Sequence, residues 1–101
     1  MKKKLDVRFL PIAEEDIAEI LDYIALDNLS AASTFFDKLE KKFEYLSEYP
    51  QAGIKRTEKE LSKAGYYSLV FGNYIIFYTF DSGILTVHRV LSSYRDYLKF
   101  F

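Results

Sequence analysis

A phosphodiester is cut without a metal when three groups converge on it. A base takes the hydroxyl proton, a cation holds the phosphate as charge grows, and an acid protonates the leaving oxygen. In this 101-residue chain the side chains of the right types are Lys55, Arg56, His88, Arg89, Tyr94, Arg95 and Tyr97. Arginine suits the phosphate, because its planar fork donates two parallel bonds and keeps its charge. Each residue also has a plainer role. A histidine inside a strand is more often a hydrogen-bonded structural residue than a general base. Arg89 reads equally well as an anchor that ties the last strand to the tail through Asp96. Lys55, Arg56, Lys59 and Lys63 read most simply as a solvated loop.

Other chemistries find little to work with. The chain has no Cys, which excludes disulfides and thiolate metal sites. With one His, a zinc site would need an unusual set of carboxylates. No metal site and no cofactor are expected. The 4 Gly residues are scattered at turns and form no phosphate-cradling loop. Nor does spacing alone argue for a Ser-His-Asp order.

These residues need a scaffold, and the chain supplies one domain over residues 1–101. Half the residues are hydrophobic, with 9 Tyr and 9 Phe, which excludes disorder. The opening residues lack the apolar core of a signal peptide, and no apolar run is long enough to span a bilayer, so a soluble protein of the cytoplasm is expected. A net charge of −1 does not announce a nucleic-acid binder. That total hides a split. Residues 1–49 carry 7 Lys+Arg against 11 Asp+Glu, net −4, and residues 50–101 carry 7 against 4, net +3.

The centre of the chain runs from Gly65 to Leu91 and reads as a three-stranded antiparallel meander. Gly72-Asn73 marks a tight hairpin turn, because such turns need positive φ. Asp81-Ser82-Gly83 marks the next. Before the meander, Leu5, Val7 and Phe9 alternate as in a strand that Pro11 stops. Ile17, Ile20, Leu21 and Ile24 form one helical stripe, with Glu14, Glu15 and Asp16 where a helix start favours negative charge. A second helix is expected from Ser30 as its N-cap, with a stripe of Ala32, Phe35, Phe36, Leu39, Phe43 and Leu46, ended by Pro50. Gln51–Ala64 is a polar loop with at most one helical turn. Ser92 or Ser93 would cap a short C-terminal helix. The order β-α-α-β-β-β makes an α+β fold, a helical hairpin on one face of a mostly antiparallel four-stranded sheet.

In that order the chain resembles the RelE/ParE superfamily of bacterial type II toxins. The resemblance is carried by Phe9-Leu10-Pro11-x-Ala13-x-x-Asp16-Ile17, by Tyr23-Ile24-Ala25-x-Asp27-Asn28, and by Pro50-x-x-Gly53. It continues through Leu69-Val70-x-Gly72-Asn73-Tyr74-Ile75-Ile76-Phe77-Tyr78, His88-Arg89-Val90-Leu91 and Arg95-Asp96-Tyr97. It spans nearly the whole chain and lies nearer the ParE-like branch. It implies a plasmid-stabilisation toxin neutralised by a small antitoxin protein. ParE-like members poison DNA gyrase and have no catalytic activity of their own. RelE-like members cleave mRNA on the ribosome, and under that reading the site would be Arg56, Arg89, Arg95 and Tyr97, with His88. The chain departs from the RelE pattern at Tyr67 and Tyr94, where many relatives carry a basic residue.

An acidic chain with a pI near 5.8 and many tyrosines fits a protein partner better than RNA. The expected partner-binding residues are Tyr67, Tyr74, Tyr78, Tyr94, Phe100 and Phe101. The leading expectation is a gyrase-directed toxin. The alternatives are a ribosome-dependent mRNA endoribonuclease, and a degenerate toxin that retains only antitoxin binding.

Overall fold

Pro11 starts the first helix where its fixed φ and missing N–H cost nothing, at the first helical position. In the computed structural model, which describes residues 4–101, strand β1 (Asp6–Phe9) leads directly into α1 (Pro11–Asp27). Met1, Lys2 and Lys3, the start of the expected leaderless N-terminus, lie outside the described residues. Helix α2 (Leu29–Glu48) follows after one residue. That residue, Asn28, is the N-cap, its side-chain oxygen accepting from Ala31 N–H at 3.0 Å. Ser30, the expected cap, lies inside the helix. Asn28 takes the role because it is the residue with extended φ and ψ at the break, and an N-cap needs that backbone.

Strand β2 (Ile54–Lys55) and the short helix α3 (Lys59–Lys63) occupy the polar connection. The meander is β3 (Tyr67–Phe71), β4 (Tyr74–Asp81) and β5 (Ile84–Ser92). The sheet has five strands in the order β1-β5-β4-β3-β2, one more than expected. The addition is β2, two residues long and without apolar alternation, so no pattern betrays it. β1 runs parallel to β5 and every other pair is antiparallel. The parallel pair follows from the helical hairpin, which returns the chain past the starting edge. The tail closes in a 3-10 turn over Tyr97–Phe100 in place of an α-helix.

Both expected hairpin turns form. Gly72 has φ +58° and Asn73 does not share it, so only the first turn position needs glycine's freedom. Ser82 and Gly83 both have positive φ.

The sheet is covered on both faces. One face packs against the helical hairpin, where Ala13, Ile20, Leu39, Phe43 and Leu46 meet Ile76, Tyr78, Leu85, Val87 and Val90. Phe36 departs from its expected core stripe and stays partly exposed. The second face is not bare. It carries a smaller core of Leu61, Ile75, Phe77 and Leu91, overlaid by Tyr66, Tyr97 and Phe101. Helix α3 and the C-terminal tail therefore form a third layer over part of the sheet. No helix among the described residues is long and apolar enough to cross a membrane.

Gly53 shows how tightly the β2 edge is seated. A Cβ there would come within 2.5 Å of the Tyr78 hydroxyl and 2.6 Å of the Ser68 carbonyl oxygen. Its N–H donates to Tyr78 Oη at 3.0 Å, and that hydroxyl donates to the Pro50 carbonyl at 2.8 Å. The Ser68 carbonyl belongs to the sheet and cannot swing aside. Gly53→Ala should cost about 1–3 kcal/mol, the range for overpacking a closed site. Urea denaturation measures it, and an unchanged midpoint would mean that this edge is loose.

Candidate functional site

A β-bulge decides where the chemistry-bearing residues point. Phe77 pairs with Arg89 and Tyr78 pairs with Val87, which leaves His88 as the extra residue of β5. Val87 and Val90 consequently share the helix-facing core although they are three apart. Simple alternation, which separates Val87 from Val90 and joins His88 to Val90, fails at this position.

His88 sits on the second face with both ring nitrogens occupied. Nδ1 lies 3.0 Å from Tyr66 Oη and Nε2 lies 2.9 Å from Thr79 Oγ1. The Tyr66 ring packs edge-on at 4.7 Å. Burial holds the imidazole pKa below 6.5 and pushes the Tyr66 hydroxyl up. A depressed histidine pKa means that the unfolded chain takes up a proton that the folded chain refuses. Stability is therefore full above the unfolded value near 6.5 and falls as pH drops through it. The melting temperature of the protein should fall between pH 7.5 and 5.5 (values chosen to straddle about 6.5). His88→Gln should flatten that slope, and an equal slope in the variant would place its origin elsewhere.

Arg56 and Tyr97 are brought into direct contact. Arg56 Nη2 donates to Tyr97 Oη at 2.6 Å, and its Nη1 donates to Ser68 Oγ at 3.0 Å. Its remaining donors grip Glu58 in two bonds, Nε to Oε1 at 3.0 Å and Nη2 to Oε2. The carboxylate raises the Arg56 pKa, and the guanidinium lowers that of Glu58. The guanidinium also lies over the rings of Tyr97 at 5.3 Å and Phe77 at 5.8 Å. Arg56 is thus a clamp between the β2 edge and the tail, where a solvated loop residue was the plainer expectation.

Arg89 is paired with Asp16 of α1, where the expected partner was Asp96. Nε and Nη2 each donate to one carboxylate oxygen at 2.8 Å. The same carboxylate accepts the Val90 backbone N–H at 3.1 Å. This arrangement follows from the sheet edge. β1 pairs with β5 only as far as Val87, so Val90 N–H has no strand partner and Asp16 supplies an acceptor. Asp16 raises the Arg89 pKa. Arg89 and Arg95 both approach the Phe100 ring, at 5.0 and 5.7 Å. Arg95 is exposed and makes no salt bridge among the described residues.

The expected partner-binding residues scatter. Tyr78 is fully buried, its hydroxyl held by Gly53 and Pro50, with its pKa pushed up to about 12 by burial. It therefore cannot contribute to a surface. Tyr67 packs on Tyr78 and Phe80 beside the helix-facing core. Tyr74 leans on Phe35, at 5.5 Å between ring centres. Phe101 is inserted between Tyr66 and Phe77, at 5.1 and 4.9 Å. Phe100 lies beneath the two arginines. Tyr94 alone of the six is broadly exposed, at 82%. Tyr74, Tyr94 and Arg95 line a cleft of about 480 Å³, opposite Glu19 and Tyr23 of α1.

Sequence reasoning missed Asp16, Glu58, Ser68 and Phe77 as determinants of this region. Asp16 carried a legible signal, since it falls between Ala13 and Ile20 on the apolar stripe of α1. A carboxylate on a buried stripe calls for a cation.

With this geometry in place, comparison with known proteins defines the class. The model of the family described as the ParE toxin of the type II toxin-antitoxin system, parDE, matches residues 7–97. A solved structure of the chromosomal ParDE TA system from P. aeruginosa matches with a TM-score of 0.70 at 14% identity, covering 88% of this chain and 96% of that one. The toxin-antitoxin complex RelBE2 from Mycobacterium tuberculosis matches with a TM-score of 0.64 at 26% identity, covering 89% and 99%. A search of curated proteins gives no significant match. The fold is that of the RelE/ParE superfamily of type II toxins. Within it, the chain belongs to the ParE toxin family.

Proposed function

We propose that this toxin acts in the cytoplasm by binding a protein, DNA gyrase, and that a cognate antitoxin holds it inactive. The observation that carries this reading is the internal pairing of two of the three candidate arginines, Arg95 remaining exposed. Arg56 is clamped to Glu58 and Arg89 to Asp16, each in two bonds. A guanidinium already held by a carboxylate has little left for a phosphate, because pairing satisfies its fork and cancels its charge. His88 is neutral and bonded at both nitrogens. The tail lies over the face where RNA would have to reach these groups. The family match to a ParE toxin adds weight to a gyrase target. The neighbouring ParDE system and RelBE2 complex support an antitoxin partner.

A second reading is favoured by the contact between Arg56 and Tyr97, two residues of the RelE-like set. Under it the protein is a ribosome-dependent mRNA endoribonuclease, and partner binding would have to open the Glu58 clamp. The experiment uses purified protein in two assays. The gyrase reading expects inhibited supercoiling of relaxed plasmid and intact mRNA on translating ribosomes. Cut mRNA with normal supercoiling would overturn it.

A further inference from the structure

We propose that the outer stripe of α1, with the cleft beside it, is the docking surface for a basic amphipathic segment of the antitoxin. This rests on the reading that an antitoxin holds the toxin. Glu15, Glu19, Tyr23 and Leu26 recur at helical spacing along α1 and are all exposed. Tyr23 is 73% exposed, Leu26 86%, and Leu29, just past the break, 76%. Three large apolar side chains thus stand uncovered at one end of the helical hairpin, which a partner would bury. Asp22 and Asp27 flank them, also exposed.

The exposed charge that α1 brings to this patch is acidic, and Arg95 is the cation that faces it across the cleft. No basic residue occurs between Arg8 and Lys38. Among the described residues, Glu15, Glu19 and Asp22 make no salt bridge. Asp16 is the contrast, pointing inward and neutralised by Arg89. The α1 side of the surface therefore presents apolar anchors beside acidic residues that form no salt bridge among the described residues, with Arg95 across the cleft. An acidic segment laid there would meet like charges. A segment with leucines or aromatics interleaved with lysines or arginines would pair with Glu15, Glu19 and Asp22 and cover Tyr23 and Leu26. The cleft gives such a segment depth, since Tyr74 and Tyr94 supply an amphipathic wall opposite Glu19 and Tyr23.

The test titrates two synthetic peptides against the full chain by fluorescence anisotropy. Both carry one leucine pattern, with lysine at the polar positions of one and glutamate at those of the other. The lysine peptide should bind roughly tenfold tighter or better, and lose that advantage in high salt. The Glu19→Lys/Asp22→Lys variant should reverse the preference, with an unchanged circular dichroism spectrum. Equal binding of both peptides, or no response to the double variant, would overturn the assignment. So would a wild-type dimer in sedimentation that the double variant abolishes, because the surface would then belong to a second copy. The parent reading is checked apart, by co-expressing the product of the adjacent reading frame. If that product restores growth and binds wild type and variant alike, the antitoxin stands and this surface falls. If it neither binds nor restores growth, the antitoxin reading falls.

Discussion

Arg89→Ala is expected to destabilise the fold by roughly 3–5 kcal/mol, the cost of leaving a buried carboxylate without its cation. Asp16 is only 8% exposed and accepts three bonds, two from Arg89 and one from Val90 N–H. Removing Arg89 leaves that charge facing the apolar contacts of α1 and β5. Arg95→Ala, by contrast, removes an exposed arginine and should change stability by less than about 0.5 kcal/mol. The two variants separate a structural from a catalytic arginine. If Arg89 only serves catalysis, Arg89→Ala keeps its denaturation midpoint while toxicity disappears. A double variant sharpens the result. Asp16→Leu/Arg89→Met replaces the pair with apolar groups, and should recover part of the loss because neither charge remains buried alone.

Phe77→Ala is expected to cost about 3–5 kcal/mol by emptying the centre of the second core. Phe77 is fully buried, with Tyr97 at 5.2 Å, Phe101 at 4.9 Å and the Arg56 guanidinium at 5.8 Å. All three contacts hold the tail or the β2 edge on the sheet. The variant should therefore loosen the tail beyond its loss of global stability. Trypsin reads this locally, since Lys99 lies in the tail. Cleavage after Lys99 should become faster under conditions where the helical hairpin still resists. If the tail stays protected in a destabilised Phe77→Ala protein, the third layer is held by something other than this aromatic cluster.

The parts of the fold legible in the sequence are those where one period persists. The helical stripe from Ile17 to Ile24 and the run of β-branched and aromatic residues along β4 are each uninterrupted, so both elements and the hairpin turn at Gly72 are readable. Three features were not. β2 is two residues of sheet with no alternation to detect. The bulge at His88 breaks the period of β5, and a pattern cannot show a skipped pairing partner. The third layer depends on Phe77, Tyr97 and Phe101 meeting across the fold, and strand aromatics alone do not say which face they serve. Among the candidate residues, the partner of Arg89 was misread. Arg89 was given Asp96, a neighbour in sequence, and found Asp16, which the helical hairpin carries back to the edge of β5. Tyr78 was given to the surface because tyrosines favour interfaces, but its neighbours Ile76 and Phe80 in β4 put it under the helices.

The most direct test of a protein-binding toxin is brief induction in bacteria, with transcript ends mapped and the DNA-damage response read from the same culture. The gyrase account predicts a DNA-damage response with intact transcripts. Codon-phased mRNA cuts without DNA damage would contradict it, and would show that the Arg56–Glu58 clamp opens on the ribosome.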